Sequence, residues 1–171
     1  MRAVIPAAGL GTRLLPVTKS QPKEMLPILN KPAIQYVVEE ASRSGFDQIL
    51  VITSRNKKTM EDHFDRNLEL EEALKEKGAE EALSELKEIE ELADIFYLRQ
   101  KVQRGLGDAV LCAENYVNND SFAVLLGDDI IAGEIPAIKQ LWEAHMKVGA
   151  PVVALEEVPL DHVERYGIVE T

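Results

Sequence analysis

Two glycines, a guanidinium group and an ammonium group near the N-terminus form a pattern suited to binding phosphate. Gly9 and Gly11 are followed by Arg13 and Lys23, and a short apolar run typical of a buried parallel strand, residues 3–5, precedes them. Because glycine has no Cβ, the backbone can turn sharply there and its N–H groups can approach a ligand. Successive N–H groups in such a turn form a concave site for an anion. The segment therefore indicates a site for a phosphorylated ligand.

The spacing matches neither of two familiar phosphate-binding loops. A Rossmann dinucleotide fingerprint needs a glycine or alanine three residues after its second glycine, where this chain has Leu14. A P-loop ends in Gly-Lys-Ser/Thr, whereas Gly11 is followed by Thr12 and Arg13. Glycines that only shape a turn are the alternative. The two nearby cations and the proline-bracketed segment 22–27 favour phosphate binding over that alternative.

A second glycine-rich turn follows a later predicted strand, residues 95–98. Gln100, Gly105 and Gly107 lie in the segment after it, before a predicted helix that reaches about residue 117. The carboxyl ends of parallel strands form the ligand crevice of an open α/β sheet, so we expect this turn to face the first one. The side-chain amide of Gln100 carries both a hydrogen-bond donor and an acceptor, so it can bind a ligand edge that offers both. Glycines that merely allow a tight turn are again the alternative.

Two adjacent carboxylates, Asp128 and Asp129, follow the predicted strand at residues 122–126. Neighbouring like charges repel, and a divalent cation would explain their position. Mg²⁺ takes oxygen ligands and commonly bridges a carboxylate to substrate phosphates. Because side chains alternate at the end of a strand, only one of the two is expected to point into the crevice. Capping of the next segment, or plain solvent exposure, is the alternative.

These motifs resemble those of a known enzyme family. Residues 7–16 are Ala-Ala-Gly-Leu-Gly-Thr-Arg-Leu-Leu-Pro, and residues 19–27 are Lys-Ser-Gln-Pro-Lys-Glu-Met-Leu-Pro. Both resemble the signature of the sugar-1-phosphate nucleotidylyltransferases, and the resemblance extends along the whole chain. The insert at 19–21 and Glu24 favour the uridylyl-transferring branch. The resemblance implies UTP and glucose 1-phosphate as substrates, UDP-glucose and pyrophosphate as products, and Mg²⁺ as cofactor. Another nucleotide or sugar phosphate, or a UTP-binding module without turnover, is the alternative.

The same resemblance implies roles for individual residues. Arg13 and Lys23 are expected to be catalytic, and Asp128 to be the metal ligand. Asp129 and Gly167 are assigned to the sugar. The expected nucleotide-binding residues are Ala7, Ala8, Gly9, Leu10, Gly11, Thr12, Glu24, Gln100 and Gly105.

In the resembling family, a glutamine five residues before the first glycine of the second turn reads the base. That register selects Gln100, and Gln103 inside the turn is the weaker candidate. The Tyr166-Gly167 pair resembles a motif beside the sugar, with the start of an edge strand as its alternative. Family chains continue, by this resemblance, for roughly another hundred residues. Residues 1–171 are therefore expected to be a nucleotide-binding domain truncated before the remainder of the sugar-binding part.

Charge is distributed unevenly along the chain, whose net charge is −11. Residues 61–94 hold 14 acidic and 4 basic side chains, whereas residues 1–60 hold 9 basic and 4 acidic ones. The segment with the first glycine-rich loop is thus basic, as a triphosphate ligand would favour. Nucleic acid is not expected as a partner, because nothing interleaves basic and aromatic residues and aromatic residues make up only 5%.

No apolar stretch approaches the roughly 18 residues that a transmembrane helix needs, and the N-terminus lacks the apolar region of a signal peptide. With one cysteine, Cys112, the chain has no internal disulfide. We therefore expect a cytoplasmic protein without a membrane partner.

The alternation of apolar strands and amphipathic helices predicts a mostly parallel sheet with right-handed crossovers. Further strands are expected at residues 49–52 and 151–155. With the resemblance, the prediction is an α/β fold: a Rossmann-like, three-layer nucleotidyltransferase with helices on both faces of the sheet. An acidic helical insertion at about 57–94, split near Gly78, interrupts the rhythm. Its apolar stripe predicts either packing against the domain or a contact between subunits of a homo-oligomer.

Overall fold

A four-stranded parallel sheet forms the centre of the protein in the computed structural model, which describes residues 1–165 and 167–169. The strand order is β5-β4-β1-β6, and β2 and β3 form a separate antiparallel hairpin. The strands are β1 Arg2–Pro6, β2 Pro27–Ile28, β3 Lys31–Pro32, β4 Gln48–Thr53, β5 Asp94–Arg99 and β6 Ala123–Val124. The helices are α1 Ala33–Arg43, α2 Lys58–Phe64, α3 Leu68–Glu76, α4 Glu80–Glu90, α5 Leu106–Leu111, α6 Glu114–Val117 and α7 Ala137–Val148.

Strand β1 is central because it pairs with β4 on one side and β6 on the other. Its register with β4 runs from Arg2 opposite Gln48 to Pro6 opposite Ile52. The chain therefore changes direction across the sheet at β1: β4 and β5 lie on one side of it, and β6 lies on the other. Ligands of open α/β sheets bind at such a switch point, beyond the carboxyl ends of the strands.

Helices cover both faces of the sheet, and alternate residues of β1 contribute to two separate cores. Ala3 and Ile5 face a cluster that includes Ile34 of α1. Val4 faces the opposite cluster, which includes Ala109 of α5. The alternation follows from the two-residue period of a strand. The predicted three-layer α/β fold is confirmed.

The acidic insertion forms two helices, α3 and α4, as predicted. The Asn67 side chain accepts a hydrogen bond from Leu70 N at 3.1 Å and so caps α3. Gly78 separates the helices with φ of 66°. On the apolar stripe, Ile89 and Ala93 pack against the core. This favours packing against the domain, and the contact between subunits stays a prediction.

Two predicted elements are present in the structure but differ in extent. The helix expected to reach residue 117 is divided into α5 and α6, because Cys112 N bonds to both Asp108 O and Ala109 O at 3.2 Å and the helical turn tightens there. The strand predicted at 122–126 pairs with β1 only over β6, with one further bond from Leu125 N to Val4 O.

The prediction of a strand at residues 151–155 was wrong. The segment has apolar residues, yet Val153 and Leu155 are 74% and 64% exposed. A strand needs a hydrogen-bonded neighbour, and within the described part of the chain no residue of a sheet pairs with this segment. Across the described ranges, no helix is both long enough and apolar enough to cross a membrane.

Candidate functional site

The first glycine-rich loop begins where β1 ends. Ala7 N donates to Ile52 O at 2.8 Å, so the loop leaves the sheet between β1 and β4. Gly11 has φ of 67°, and a Cβ there would lie 3.0 Å from Thr18 Cγ2. A side chain at this position would therefore strain the backbone and crowd its neighbour. The turn requires glycine at Gly11.

Arg13 and Lys23 both lie beside this loop. The Lys23 side chain runs along the loop. A Cβ added at Gly11 would lie 3.3 Å from Cβ of Lys23, and a Cβ added at Gly9 would lie 3.8 Å from Cε of Lys23. Arg13 follows within the 3-10 helix Thr12–Leu14. Its side chain is exposed and has no hydrogen bond or ion pair with any residue that the structure describes. The loop thus carries one cation along its surface and a second one open to a ligand.

Lys23 also contacts the end of β6. Its Nζ lies 2.6 Å from Oδ2 of Asp128, and the two side chains are 24% and 40% exposed. Asp128 follows Gly127, where a Cβ would lie 3.3 Å from Cγ of Glu24 and 3.4 Å from Cβ of Ala7. The loops after β1 and β6 are therefore in close contact, and they place a cation next to a carboxylate at the switch point of the sheet.

Asp128 and Asp129 point in different directions, as the alternation of side chains predicts. Asp129 borders a cavity of about 700 Å³ on the far side of β6, together with Trp142, whereas Asp128 does not line it. Burial raises the pKa of Asp129, and the negative charge of Asp128 raises it further. Asp129 thus lies outside the hydrogen bond between Lys23 and Asp128, although the positive charge of Lys23 partly opposes the rise in its pKa.

The donor set around Asp128 fits Mg²⁺ bound partly by a substrate. Of its two carboxylate oxygens, Oδ2 accepts from Lys23, and Oδ1 has no hydrogen bond within the described ranges. Those ranges contain no group of three or more His, Cys, Asp or Glu residues arranged to hold a metal. Mg²⁺ is commonly held by one or two carboxylates with waters and substrate phosphates, so one partly exposed carboxylate beside the first glycine-rich loop suits it.

A buried ion pair lies beneath the first loop, and sequence reasoning missed one of its members. Lys57 Nζ donates to Oε1 and Oε2 of Glu24 at 2.9 and 2.8 Å and to the carbonyl oxygen of Ala7 at 2.6 Å. Burial lowers the pKa of Lys57, and the Glu24 carboxylate opposes that shift. All three ammonium hydrogens thus have acceptors, which a buried charge requires. Nothing local in the sequence distinguishes Lys57 from the adjacent Lys58, whose side chain is 81% exposed.

This pair changes the position expected for Glu24. The family resemblance assigned Glu24 to the nucleotide-binding residues, but no part of it is exposed and Lys57 donates to both of its carboxylate oxygens. The carboxylate lies under the loop and not in the crevice. Because Lys57 also holds Ala7, it connects the loop to the segment that carries Lys23.

The second glycine-rich turn faces the first loop, as predicted. Gln103 Nε2 donates to the carbonyl oxygen of Ala8 at 2.6 Å, which joins the two turns directly. Gln100 lies at the end of β5, where its N donates to Thr53 O at 2.9 Å, and only 5% of the residue is exposed. Its Nε2 donates to Oδ2 of Asp108 at 2.6 Å. Gly105, at φ of 102°, is the N-cap residue immediately before α5.

Other residues expected in the site are exposed to solvent. Leu10 is 68% exposed on the outside of the loop, and Thr12 is exposed as well. Gly167 is exposed, and a Cβ there would meet nothing within 4 Å. Its neighbour Tyr166 lies outside the described residues. The structure therefore brings together the two glycine-rich turns, Lys23 and Asp128, but it places Glu24 beneath them and, among the described residues, shows no neighbour at Gly167.

A family model for nucleotidyl transferases matches residues 2–171 of this chain. The chain is a member of the nucleotidyl transferase family. The resemblance found in the motifs at residues 7–16 and 19–27 is confirmed by this match, which covers almost all of the chain.

Curated relatives of this nucleotidyl transferase carry a more specific name. The present chain is 58% identical over 170 residues to the UTP–glucose-1-phosphate uridylyltransferase YngB of Bacillus subtilis (strain 168). This match covers 99% of the present chain and 57% of the relative. The present chain is also 53% identical over 169 residues to a UTP–glucose-1-phosphate uridylyltransferase of Staphylococcus haemolyticus, covering 99% of this chain and 59% of the relative. The nucleotidyl transferase chain thus spans less than two thirds of the length of these relatives.

Solved structures agree with the fold. A UDP-glucose pyrophosphorylase from Acinetobacter baumannii superposes with a TM-score of 0.94 at 42% identity, covering 99% of this chain and 61% of that one. A UDP-glucose pyrophosphorylase complexed with UDP-glucose superposes with a TM-score of 0.85 at 42% identity, covering 98% and 61%. The α/β nucleotidyltransferase fold is therefore shared by this nucleotidyl transferase and those proteins.

Proposed function

We propose that this nucleotidyl transferase forms UDP-glucose and pyrophosphate from UTP and glucose 1-phosphate. The observation that carries the proposal is the contact of Lys23 with Asp128 beside the first glycine-rich loop. It supplies, at one point, a cation for phosphate oxygens and a carboxylate for Mg²⁺. The choice of UTP and glucose is supported by relatives of that name and by a related structure that holds UDP-glucose.

The proposed reaction transfers a uridylyl group in a single displacement. A phosphate oxygen of glucose 1-phosphate attacks the α-phosphorus of UTP, and pyrophosphate leaves in line with it. The sugar phosphate is already an anion at neutral pH, so the step needs no general base. The barrier arises from the approach of an anion to a polyanion and from charge that builds on the leaving group. Catalysis is therefore mainly positioning and charge stabilisation.

The chain offers residues for each part of this task. The backbone N–H groups of residues 9–12 bind phosphate oxygens at the end of β1. Arg13 binds the leaving pyrophosphate, because its planar guanidinium can hold two oxygens together. Lys23 stabilises charge on the α- and β-phosphates. Asp128 would hold Mg²⁺, which when bound neutralises charge on phosphate oxygens. Gln100 binds the imide edge of the base.

Alanine substitutions of the two cations test the proposal. With UTP, Mg²⁺ and glucose 1-phosphate, Arg13→Ala and Lys23→Ala are each expected to release pyrophosphate about 10²–10³-fold more slowly, as happens when one well-placed charge donor is lost. Lys58→Ala is the matched control, since its side chain is 81% exposed on α2. If either variant released pyrophosphate as fast as the unaltered protein, the proposal would be contradicted. Pyrophosphate release by the unaltered protein in the absence of UTP would also contradict it.

A second candidate is a protein that binds UTP without turning it over. It is favoured by the isolated position of Gly167, the one described residue that was assigned to the sugar by the Tyr-Gly motif. Titration calorimetry that detects UTP binding, combined with no UDP-glucose formed from glucose 1-phosphate, would select this candidate. A panel of nucleoside triphosphates in the same pyrophosphate assay separates UTP from other nucleotides.

A further inference from the structure

We propose that Asp108 is a specificity-determining residue: it fixes the orientation of the Gln100 amide so that the site accepts uracil and rejects cytosine. The inference rests on the proposed function, in which Gln100 binds the base. The contact that carries it joins Nε2 of Gln100 to Oδ2 of Asp108 at 2.6 Å.

The chemistry of the two side chains allows one orientation of the amide. A carboxylate only accepts hydrogen bonds, so the nitrogen of the Gln100 amide has to face Asp108. The reversed amide would place Oε1 against the carboxylate, where two acceptors repel. Both residues are held in place, because Gln100 N donates to Thr53 O at 2.9 Å and Asp108 O accepts from Cys112 N at 3.2 Å within the helical segment after Gly105.

The fixed amide presents a defined pattern to a ligand. Oε1 of Gln100 accepts no hydrogen bond from any residue in the described ranges, and the second hydrogen on Nε2 is not used by Asp108. Uracil matches this pattern, since its N3–H donates and its O4 accepts. Cytosine has the opposite pattern, because its N3 accepts and its N4 amino group donates. Binding cytosine would require the reversed amide that Asp108 opposes.

The surroundings of the amide agree with a base site. Gln103 ties the second turn to Ala8 of the phosphate-binding loop, so a nucleotide can contact both turns. A Cβ at Gly105 would meet no atom within 4 Å, which leaves the start of α5 open. Because a buried polar group left without a partner is strongly unfavourable, a site with a fixed donor and acceptor discriminates more sharply than an apolar one.

Nucleotide affinities of Asp108→Asn test this inference. Titration calorimetry with UTP and with CTP, both with Mg²⁺, is done on the unaltered protein, Asp108→Asn and Glu114→Gln. The asparagine amide can donate to Oε1 as well as accept from Nε2, so both orientations of Gln100 become allowed. We expect the ratio of UTP to CTP affinity to fall by about tenfold or more, with tighter CTP binding than in the unaltered protein. Glu114→Gln removes a carboxylate from α6 that has no described partner, and it is expected to leave the ratio unchanged.

The outcomes separate the inference from the proposed function. A ratio that stays the same in Asp108→Asn while UTP still binds would overturn the role of Asp108 and leave the proposed function standing. An unaltered protein that binds UTP and CTP equally would also overturn the inference. Failure of the unaltered protein to bind either nucleotide would overturn both. Asp108→Ser, whose hydroxyl can donate or accept, gives a second measurement of the ratio if the asparagine variant does not fold.

Discussion

Lys23 and Asp128 lie 105 residues apart in the chain, yet Nζ of the first is 2.6 Å from Oδ2 of the second. Before a ligand binds, the Lys23 ammonium and the Asp128 carboxylate are therefore hydrogen-bonded to each other. A phosphate that binds Lys23 releases Asp128, and a cation that binds Asp128 releases Lys23. The proposed binding of UTP and of Mg²⁺ is thus expected to be mutually supportive.

Asp128→Asn separates the two roles of this contact. Without metal, the variant is expected to bind UTP up to about fivefold more tightly, because a partly exposed ion pair worth about 0–1 kcal/mol no longer competes for Lys23. With Mg²⁺, pyrophosphate release is expected to fall about 10²–10³-fold. Calorimetry and the release assay measure the two effects, with Glu72→Gln, an exposed carboxylate of α3, as the control. Weaker UTP binding by Asp128→Asn in the absence of metal would contradict the competition.

Lys57→Met is expected to lower the free energy of unfolding by about 3–5 kcal/mol, because it leaves the Glu24 carboxylate buried without its partner. The double variant Lys57→Met/Glu24→Leu removes both charges and is expected to regain most of that loss. Urea unfolding measures both. Lys58→Met, an exposed neighbour, is the control and is expected to change stability by about 0.5 kcal/mol or less. Equal losses in the single and the double variant would show that the pair is not the cause.

Gly11→Ala is expected to destabilise the protein by about 1–2 kcal/mol, because its φ of 67° lies in the left-handed region that alanine avoids. The contact of 3.0 Å between the new Cβ and Thr18 adds to that loss. At Gly9 the same change meets only Lys23 Cε at 3.8 Å, an ordinary contact, so Gly9→Ala is the matched control for stability. Thermal unfolding compares the two. Equal stability of the variants would contradict the requirement for glycine at Gly11.

Glu71 makes the stability of the acidic insertion depend on pH. The Arg66 guanidinium lowers the pKa of Glu71 to about 2, burial opposes the shift, and Lys75 adds to it. Because the folded pKa lies below the ordinary value of 4.5, this contribution is fully present above pH 4.5 and is lost as the pH falls towards 2. Glu71→Gln is therefore expected to lose less stability than the unaltered protein when the pH falls from about 5 to about 2. This range spans roughly the interval between the two pKa values.

Urea unfolding at a series of pH values measures this difference. Glu72→Gln, on the exposed face of α3, is the control and is expected to follow the unaltered protein. A Glu71→Gln variant whose stability declines with acid as steeply as that of the unaltered protein would contradict the role of the Arg66 contact.

The elements and the grouping of two cations beside the first glycine-rich loop could be predicted from the sequence, because they depend on near neighbours in the chain. Apolar runs define β1, β4 and β5, and Gly9, Gly11, Arg13 and Lys23 lie within fifteen residues of one another. The crevice also followed from sequence, since parallel strands place their carboxyl ends at one edge of the sheet. Residues 151–155 show the limit of this reasoning: an apolar run predicts a strand, but a strand also needs a partner.

Only the tertiary structure decided which charged and polar side chains are buried and what each one contacts. Lys57 and Lys58 are identical neighbours in the sequence, yet one is buried on Glu24 and Ala7 and the other is exposed. The orientation of the Gln100 amide likewise depends on Asp108, which reaches it only after the chain has turned. The physical reason is that these interactions act over a few ångströms between distant parts of the chain, and such distances exist only once the sheet and its helices have packed.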